Sequence, residues 1–129
     1  MQVFFIVMRG VKGIRKADAR FVDNDRVRGV LPALPDARTA EAVTNVFRAL
    51  ADPTRVTILH ALSLVSLCNS DLASILGISE SAISHQMREL RLLRIVTAER
   101  KGRMVYYSLT DSHVRHVLQD ALRHAREGA

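Results

Sequence analysis

The 129-residue sequence has little of several features that would otherwise direct its interpretation. It contains one cysteine, Cys68, so no disulfide can form within the chain, and this is compatible with a reducing compartment. Its most apolar run, residues 3–8, is too short to span a bilayer, and no small-residue cleavage site follows it. We therefore expect a cytoplasmic protein with no transmembrane helix, no secretory signal and no membrane partner.

The charge of the chain is unevenly distributed. Hydrophobic residues make up 48% and charged residues 25% of the sequence, which is ordinary for one globular domain, and the net charge is +6. Residues 1–30 carry seven Lys or Arg against three Asp, and residues 79–110 carry six against three acidic residues. A charge run is often only a solvated face, but two basic segments favour a polyanionic partner such as nucleic acid.

A change of composition near residue 37 predicts a boundary. Residues 27–38 contain two prolines and a glycine, which are typical of a junction, and the pattern after them is strongly helical. We therefore predict a flexible basic N-terminal arm over residues 1–37 and a folded domain over residues 38–129.

Two helices are predicted at the start of this domain. The first spans residues 39–50 and opens with Thr39, while the second begins after Asp52, an N-cap residue, with Pro53 at its first position. The apolar positions at helical spacing are Ala42, Val43, Val46, Phe47 and Leu50 in the first helix, and Val56, Ile58, Leu59 and Leu62 in the second.

The rest of the domain is typical of a winged helix-turn-helix. Residues 70–96 contain two helical patterns separated by a short turn, in which Gly77 ends one helix and Ser79 caps the next. Two β-branched and aromatic runs flank the basic residues 101–103, which predicts a β-hairpin, and a last helix runs from about Ser112 to Glu127. The fold class is therefore mainly α with a small β-hairpin.

The second helix of the pair has the properties of a DNA-recognition helix. Its first turns carry short donors and acceptors that can reach base edges, its other face is apolar, and arginines and the basic hairpin can contact phosphates. The alternative is an amphipathic surface helix with no binding role, but the adjacent basic hairpin favours DNA binding. The predicted DNA-binding residues are Ser79, Ser81, Ser84, His85, Gln86, Arg88, Lys101 and Arg103.

Three stretches carry a resemblance to a known family. "DPTR" after the first core helix, "SESAISHQ" in the recognition helix and "GRMVYYSL" in the hairpin resemble the ArsR/SmtB family of metal-sensing winged-helix repressors, over roughly residues 38–127. The resemblance implies a homodimer that binds double-stranded operator DNA when metal-free and releases it when metal binds.

The last helix carries metal-ligand residue types that one helix cannot bring together. His113 and His124 point in nearly the same direction but lie about 16 Å apart along the axis, whereas two ligands of one zinc must both lie about 2 Å from it. In two antiparallel copies of the helix, His113 meets His124, and Asp111 meets Glu127 in nearly the same register. Two equivalent sites per homodimer are therefore predicted.

The family resemblance implies the same four ligands. The interfacial site of the family has the pattern Asp-x-His followed after ten residues by His-x-x-Glu or His-x-x-His, which here falls on Asp111, His113, His124 and Glu127. Two imidazoles and two carboxylates suit Zn(II), with Co(II) or Ni(II) as alternatives, and His116 is an extra candidate ligand for Ni(II). Taken singly, Asp111 is a natural helix N-cap and the histidines are ordinary surface residues.

Cys68 is not predicted to bind metal. Some members of the family build a second site from cysteines near this position together with Cys or His residues of the N-terminal arm. No Cys or His occurs before His60, so the arm supplies no such ligands, and we expect Cys68 to be a small buried apolar residue.

These patterns predict a transcriptional repressor that releases operator DNA when Zn(II) binds at the dimer interface. One alternative is a winged-helix regulator whose metal is structural and not sensed. Another is a metalloenzyme, but four protein ligands would leave no open position for water, so no enzymatic activity is expected.

Overall fold

The computed structural model describes residues 21–128, and within them the predicted fold class is confirmed. No helix among these residues is long and apolar enough to cross a membrane. The apolar run at residues 3–8 and most of the predicted arm lie outside the described residues. In chain order the elements are α1 (Asn24–Val30), a 3-10 turn (Leu31–Ala33), α2 (Ala37–Leu50), α3 (Pro53–Leu64), β1 (Leu67–Cys68), α4 (Asn69–Leu76), α5 (Glu80–Leu92), β2 (Val96–Lys101), β3 (Met104–Leu109) and α6 (Ser112–Glu127).

The chain divides into two units, of which the first ends at Thr44. The described part of this unit contains α1, where the junction was predicted. The Asp23 carboxylate caps α1 by accepting a hydrogen bond from the Arg26 backbone N–H at 3.0 Å. No residue of α1 is buried. The flexibility of the arm and its boundary at residue 37 stay predictions.

Helix α2 begins at Ala37, before the predicted Thr39. The correction has a local cause, because the Asp36 carboxylate accepts a hydrogen bond from the Thr39 backbone N–H at 2.7 Å and so closes the first turn from an earlier position. This backbone hydrogen bond, and then the one from the Thr39 side chain, lower the pKa of Asp36 from its ordinary value. Asp36, and not Thr39, therefore starts the helix.

The predicted core face of α2 is only partly correct. Ala49 is fully buried, and Val46 and Leu50 are half-buried against the core of the second unit. Phe47, which the periodicity assigned to the core, keeps 57% of its surface exposed, and Val43 is also exposed. A row of positions i, i+3 and i+4 fits one narrow face of a helix, so the helix packs through Val46, Ala49 and Leu50 and leaves Phe47 outside.

The start of α3 confirms the sequence prediction. Asp52 is the N-cap residue, its carboxylate accepts from the Arg55 backbone N–H at 3.1 Å, and Pro53 occupies the first helical position. The predicted apolar side of this helix faces the core, with Val56 half-buried. The largest fully buried side chains of the described residues are Ile58, Leu59, Leu72, Ile83, Met87, Leu90 and Leu118.

Helices α4 and α5 form the predicted helix-turn-helix. Gly77 ends α4 in the left-handed conformation, with φ at 68°, which a residue without a Cβ adopts at low cost. Ser79 then caps α5, since its hydroxyl accepts from the Ala82 backbone N–H at 3.1 Å. Both helix boundaries were predicted from these two residues, and both predictions are confirmed.

The wing belongs to a three-stranded antiparallel sheet in the order β1-β3-β2, not to an isolated hairpin. Strands β2 and β3 pair from Val96 with Leu109 to Lys101 with Met104, so the turn contains only Gly102 and Arg103. The additional strand β1 was not predicted from the sequence. It pairs with β3, with Cys68 opposite Tyr106. Cys68 is free and 3% exposed, in agreement with the buried apolar role predicted for it.

Only two residues separate the wing from the last helix. Strand β3 ends at Leu109, and Asp111 is already the N-cap of α6. Thr110 between them donates its backbone N–H to the Ile95 carbonyl at 3.0 Å. Helix α6 runs from Ser112 to Glu127, as predicted.

Arg94, just after α5, is the only non-glycine residue among those described with a positive φ, at 59°. Because the Cβ of an L-residue crowds the backbone in this conformation, we expect Arg94→Gly to raise the free energy of unfolding by about 0.5–1 kcal/mol. Urea denaturation at fixed protein concentration would measure this, with Arg91→Gly inside the helix as the control that should be destabilised by about 1 kcal/mol. A destabilised Arg94→Gly variant would contradict the argument.

Candidate DNA-binding and metal-binding sites

The structure presents the start of α5 as a polar surface. Ser79, Ser81 and His85 are exposed, while Ser84 and Gln86 are half-buried. Ile83, Met87 and Leu90 of the same helix are buried in the core, so the recognition helix has the two-sided character that the sequence predicted. Its first two turns therefore offer hydroxyl, imidazole and amide groups to a partner outside the chain.

Ser84 also has a partner within the chain. The Asn69 side-chain amide donates to the Ser84 hydroxyl oxygen at 2.8 Å, which links the first residue of α4 to α5. The hydroxyl proton of Ser84 stays available for donation. The side-chain oxygen of Asn69, Oδ1, is buried and accepts no hydrogen bond from the described residues.

Ser79 caps α5 and is also a predicted DNA contact, and two substitutions separate these roles. Ser79→Gly should lower the free energy of unfolding by only a few tenths of a kcal/mol, whereas Ser79→Ala should cost about 1 kcal/mol, because glycine is tolerated at an N-cap and alanine is not. Thermal unfolding measures the capping role. If the hydroxyl contacts DNA, both variants should lose DNA affinity equally; a normal affinity of Ser79→Gly would limit Ser79 to capping.

Arg55 contacts two side chains in the middle of the recognition helix, and no role was predicted for it from the sequence. Its Nε donates to Gln86 Oε1 at 2.7 Å, and its guanidinium also forms an ion pair with Glu89. Glu89 in turn contacts His85, with 3.2 Å between Oε1 and His85 Nε2. Two predicted DNA-binding side chains are thus connected to one arginine of α3. Arg55 and Gln86 are 31 positions apart, so no local sequence pattern could indicate their contact. Arg55 is the last residue of the "DPTR" stretch that carries part of the family resemblance.

Arginines surround the same face of the molecule. Arg88 and Arg91 are exposed and line a cavity of about 450 Å³ together with Ser84 and Tyr107. Arg91 and Arg94 line a second cavity of about 380 Å³ beside β2. These guanidinium groups can hold phosphate oxygens bidentately.

The wing tip is basic and exposed. Lys101 and Arg103 both have exposed side chains, and Lys101 Nζ lies 5.5 Å from the centroid of the Tyr106 ring, within the range of a cation–π contact. Lys101 therefore has an aromatic partner within its own hairpin, and Arg103 in the turn has no comparable contact among the described residues.

The four predicted metal ligands all have exposed side chains on or beside α6. Asp111 is indeed the N-cap residue, and its Oδ1 accepts from the backbone N–H groups of His113 at 2.9 Å and Val114 at 3.3 Å. Both bonds go to one oxygen, and Oδ2 has no hydrogen-bond partner among the described residues. Asp111 can therefore cap the helix and still offer an oxygen to a metal ion.

A single chain does not assemble a metal site in the described part of the structure. No three His, Cys, Asp or Glu side chains there lie close enough together to hold one ion. Asp111 and His113 lie at the start of α6, and His124 and Glu127 lie at its end. This agrees with the spacing argument that one helix cannot bring both histidines to one metal.

The apolar stripe of α6 is wider than the core of one chain requires. Val114 and Leu118 are buried and Leu122 is half-buried. The other members of the stripe are exposed: Val117, Ala121 and Ala125. The helix therefore has one apolar edge on the core and one that faces away from it.

Comparison with known proteins shows where similar chains occur. Residues 52–98 match the family model described as bacterial regulatory protein, arsR family. A transcriptional repressor SmtB homolog from Synechocystis is 42% identical over 110 residues, which cover 85% of this chain and 83% of the relative. A cadmium resistance transcriptional regulatory protein CadC homolog from Staphylococcus aureus is 44% identical over 67% of this chain and 73% of the relative.

A solved structure is similar in fold. A homodimeric winged helix-turn-helix DNA-binding domain from Mycobacterium bovis superposes with a TM-score of 0.66 at 25% identity, over 70% of this chain and 84% of that chain. All three of these similar proteins are described as regulators of transcription or as DNA-binding domains.

Proposed function

Because the chain belongs to the ArsR family of bacterial regulatory proteins, we propose that it represses transcription in the cytoplasm as a homodimer that binds operator DNA and releases it when Zn(II) binds. The family consists of regulators and not enzymes, as the sequence predicted. The observation that carries the proposal is the exposed polar start of α5 beside an exposed basic wing, in a chain 42% identical to a repressor.

DNA binding would use two kinds of contact. The exposed residues Ser81 and His85 and the amide of Gln86 lie in the first two turns of α5, from which side chains reach base edges in the major groove. Arg88, Lys101 and Arg103, all exposed, would hold phosphates on either side and supply most of the salt-dependent affinity.

The homodimer would form through the outer edge of α6. Val117, Ala121 and Ala125 lie in the apolar stripe of that helix, yet they remain exposed in one chain. A second copy of the helix running antiparallel would cover them. The similar winged helix-turn-helix domain is described as homodimeric, which supports a dimer.

Antiparallel packing of α6 would also complete the metal site. Asp111 Oδ2 and His113 of one chain would meet His124 and Glu127 of the other, twice per dimer. The donor set of two imidazoles and two carboxylates fits Zn(II), and Co(II) or Ni(II) would fit a similar arrangement. The relatives support a response to metal more strongly than a response to zinc in particular, because one of them is described as a cadmium resistance regulator.

Metal binding would cause the release of DNA by changing the geometry of the dimer. When a metal is bound, Asp111 and His113 of one chain and His124 and Glu127 of the other would hold the two α6 helices in one relative position, and the two recognition helices would shift with them. Because half-sites are separated by a fixed number of base pairs, a dimer with the wrong separation cannot place both α5 helices in the groove. Thermodynamic linkage then requires DNA to weaken metal binding by the same factor.

The test is a binding titration at one fixed salt concentration. The full-length protein would first select its preferred duplex from a random library, and fluorescence anisotropy would then follow binding with a chelator or with Zn(II), Co(II), Ni(II) or Cd(II). We expect at least one metal to weaken binding roughly 5–150-fold, and Zn(II) to be the most effective. Failure to select any sequence would exclude a sequence-specific repressor.

Sedimentation of the chelated protein separates sensing from a structural metal. The proposal requires the metal-free protein to remain dimeric and able to bind DNA. A protein that becomes monomeric and loses DNA binding on chelation would instead have a structural metal ion.

A further inference from the structure

The side chain of Arg55 lies behind the recognition helix. It starts from the first turn of α3, is 17% exposed, and contacts α5 at two side chains. Its Nε donates to Gln86 Oε1, and another of its guanidinium nitrogens pairs with Glu89. Because Arg55 itself is nearly covered, its contacts act on Gln86 from the protein side.

The contact fixes the orientation of the Gln86 amide. A free glutamine amide can turn over and exchange the positions of its oxygen and its NH2 group. The Arg55 Nε–H, 2.7 Å away, can donate only to the amide oxygen and not to the NH2 group, so the oxygen faces Arg55 and the NH2 group takes the other position. Gln86 Nε2 donates to no acceptor among the described residues, so both of its N–H groups remain for an external partner.

His85 is held in the same network. Its Nε2 lies 3.2 Å from Glu89 Oε1, so Glu89 is close to both Arg55 and His85. The His85 side chain is 65% exposed, so it stays accessible to an external partner, and Gln86 is the residue of the two that Arg55 contacts directly.

We propose that Arg55 is a specificity-determining positioning residue, which fixes Gln86 as a hydrogen-bond donor to a base. The inference rests on the proposed DNA-binding function. In the major groove, guanine presents two acceptors, thymine presents O4 and adenine presents N7, whereas cytosine presents only a donor. A Gln86 held with its NH2 group outward discriminates against cytosine at the base it contacts.

Only arginine can make both contacts at once. The guanidinium has donors in a planar fork, so Nε can serve Gln86 while a terminal nitrogen serves Glu89. A lysine at position 55 would keep the positive charge beside Glu89 but would present one ammonium group in place of the fork. Arg55→Lys therefore releases the Gln86 amide while leaving the charge of the chain unchanged.

The first measurement needs no DNA. In the ¹⁵N-labelled full-length protein, NMR should show an Arg55 Nε–H signal protected from exchange with water, and Gln86→Ala should remove that protection. A rapidly exchanging Arg55 Nε–H in the wild-type protein would overturn the proposed contact itself.

The second measurement uses the duplex selected by the wild-type protein from a random library, with each base pair of the half-site replaced in turn. The Arg55→Lys variant should lose roughly tenfold or more of the discrimination against cytosine at one base pair, while its affinity for unrelated DNA stays the same. The same loss should occur in Gln86→Ala, and the double variant should lose no more than either single one, because both changes remove the same contact.

Arg48→Lys on α2 is the matched control, since Arg48 is exposed, and its discrimination profile should not change. Equal weakening on all sequences by Arg55→Lys, additive effects in the double variant, or an unchanged profile would each overturn the inference and leave the proposed function standing. A wild-type protein that selects no sequence while its Arg55 Nε–H is protected would instead overturn the proposed function, and the base-recognition role with it.

Discussion

His124→Gln should abolish the release of DNA by zinc while leaving DNA affinity in the metal-free protein within about twofold of the wild type. The His124 side chain is exposed on the last full turn of α6, far from α5 in sequence, and no hydrogen bond ties it to the described residues of its own chain. Its loss therefore removes one of four proposed ligands from each site without disturbing the fold. The coupling between metal and DNA should fall from roughly 5–150-fold to none.

Anisotropy titrations of the selected duplex, with and without Zn(II), measure this coupling. His116→Gln is the matched control, because His116 is an exposed histidine of the same helix that has no partner in the antiparallel register. It should keep the zinc response. Release of DNA by zinc from the His124→Gln variant would mean that the proposed ligand set is wrong.

Leu118→Ala should lower the free energy of unfolding by about 2–5 kcal/mol. Leu118 is 2% exposed and belongs to the same core cluster as Ile58 and Leu59 of α3, so the substitution leaves a cavity between α6 and the rest of the domain. A domain of this size is stabilised by only about 5–15 kcal/mol in total, so this loss is a large fraction of its stability.

The same substitution at an exposed leucine is the control for this prediction. Leu92, at the end of α5, is 79% exposed, and Leu92→Ala should change stability by less than about 0.5 kcal/mol. Guanidinium denaturation at one protein concentration would compare the two variants, because the stability of a dimer depends on concentration. Equal losses from both variants would contradict the burial argument.

The sequence predicts those parts of the fold that depend on neighbouring residues. Asp52 and Ser79 cap α3 and α5 through hydrogen bonds to backbone groups three residues away, and Gly77 ends α4 through its own backbone conformation. Such local interactions are visible in the order of residues. The start of α2 was placed wrongly because Asp36 and Thr39 are both good caps, and the choice between them depends on which carboxyl or hydroxyl reaches the backbone.

Contacts between distant segments were not predictable in the same way. Strand β1 has only two residues, too few for any periodicity, and it exists because β3 offers an edge to Leu67 and Cys68. Phe47 fits an apolar helical pattern, but the packing of α2 leaves it outside the core. The link from Arg55 to Gln86 depends on the docking of α3 against α5.

The proposed metal site lies between these two cases. Helical geometry is local, and the continuous helix from Ser112 to Glu127 places His113 and His124 of one chain at its opposite ends. The meeting of His113 with His124 of a second copy depends on an interface between chains, and it stays a prediction. What the structure adds is the free Oδ2 of Asp111 and the exposed outer edge of α6.

The short connection between the wing and α6 leaves the chain without slack. One residue spans at most about 3.6 Å, and Thr110 is the only residue between the end of β3 and Asp111. Thr110 is itself anchored to Ile95 at the start of the wing. A displacement of Asp111 would therefore reach strand β3 through a single intervening residue, so the N-cap of the last helix and the wing are expected to shift together.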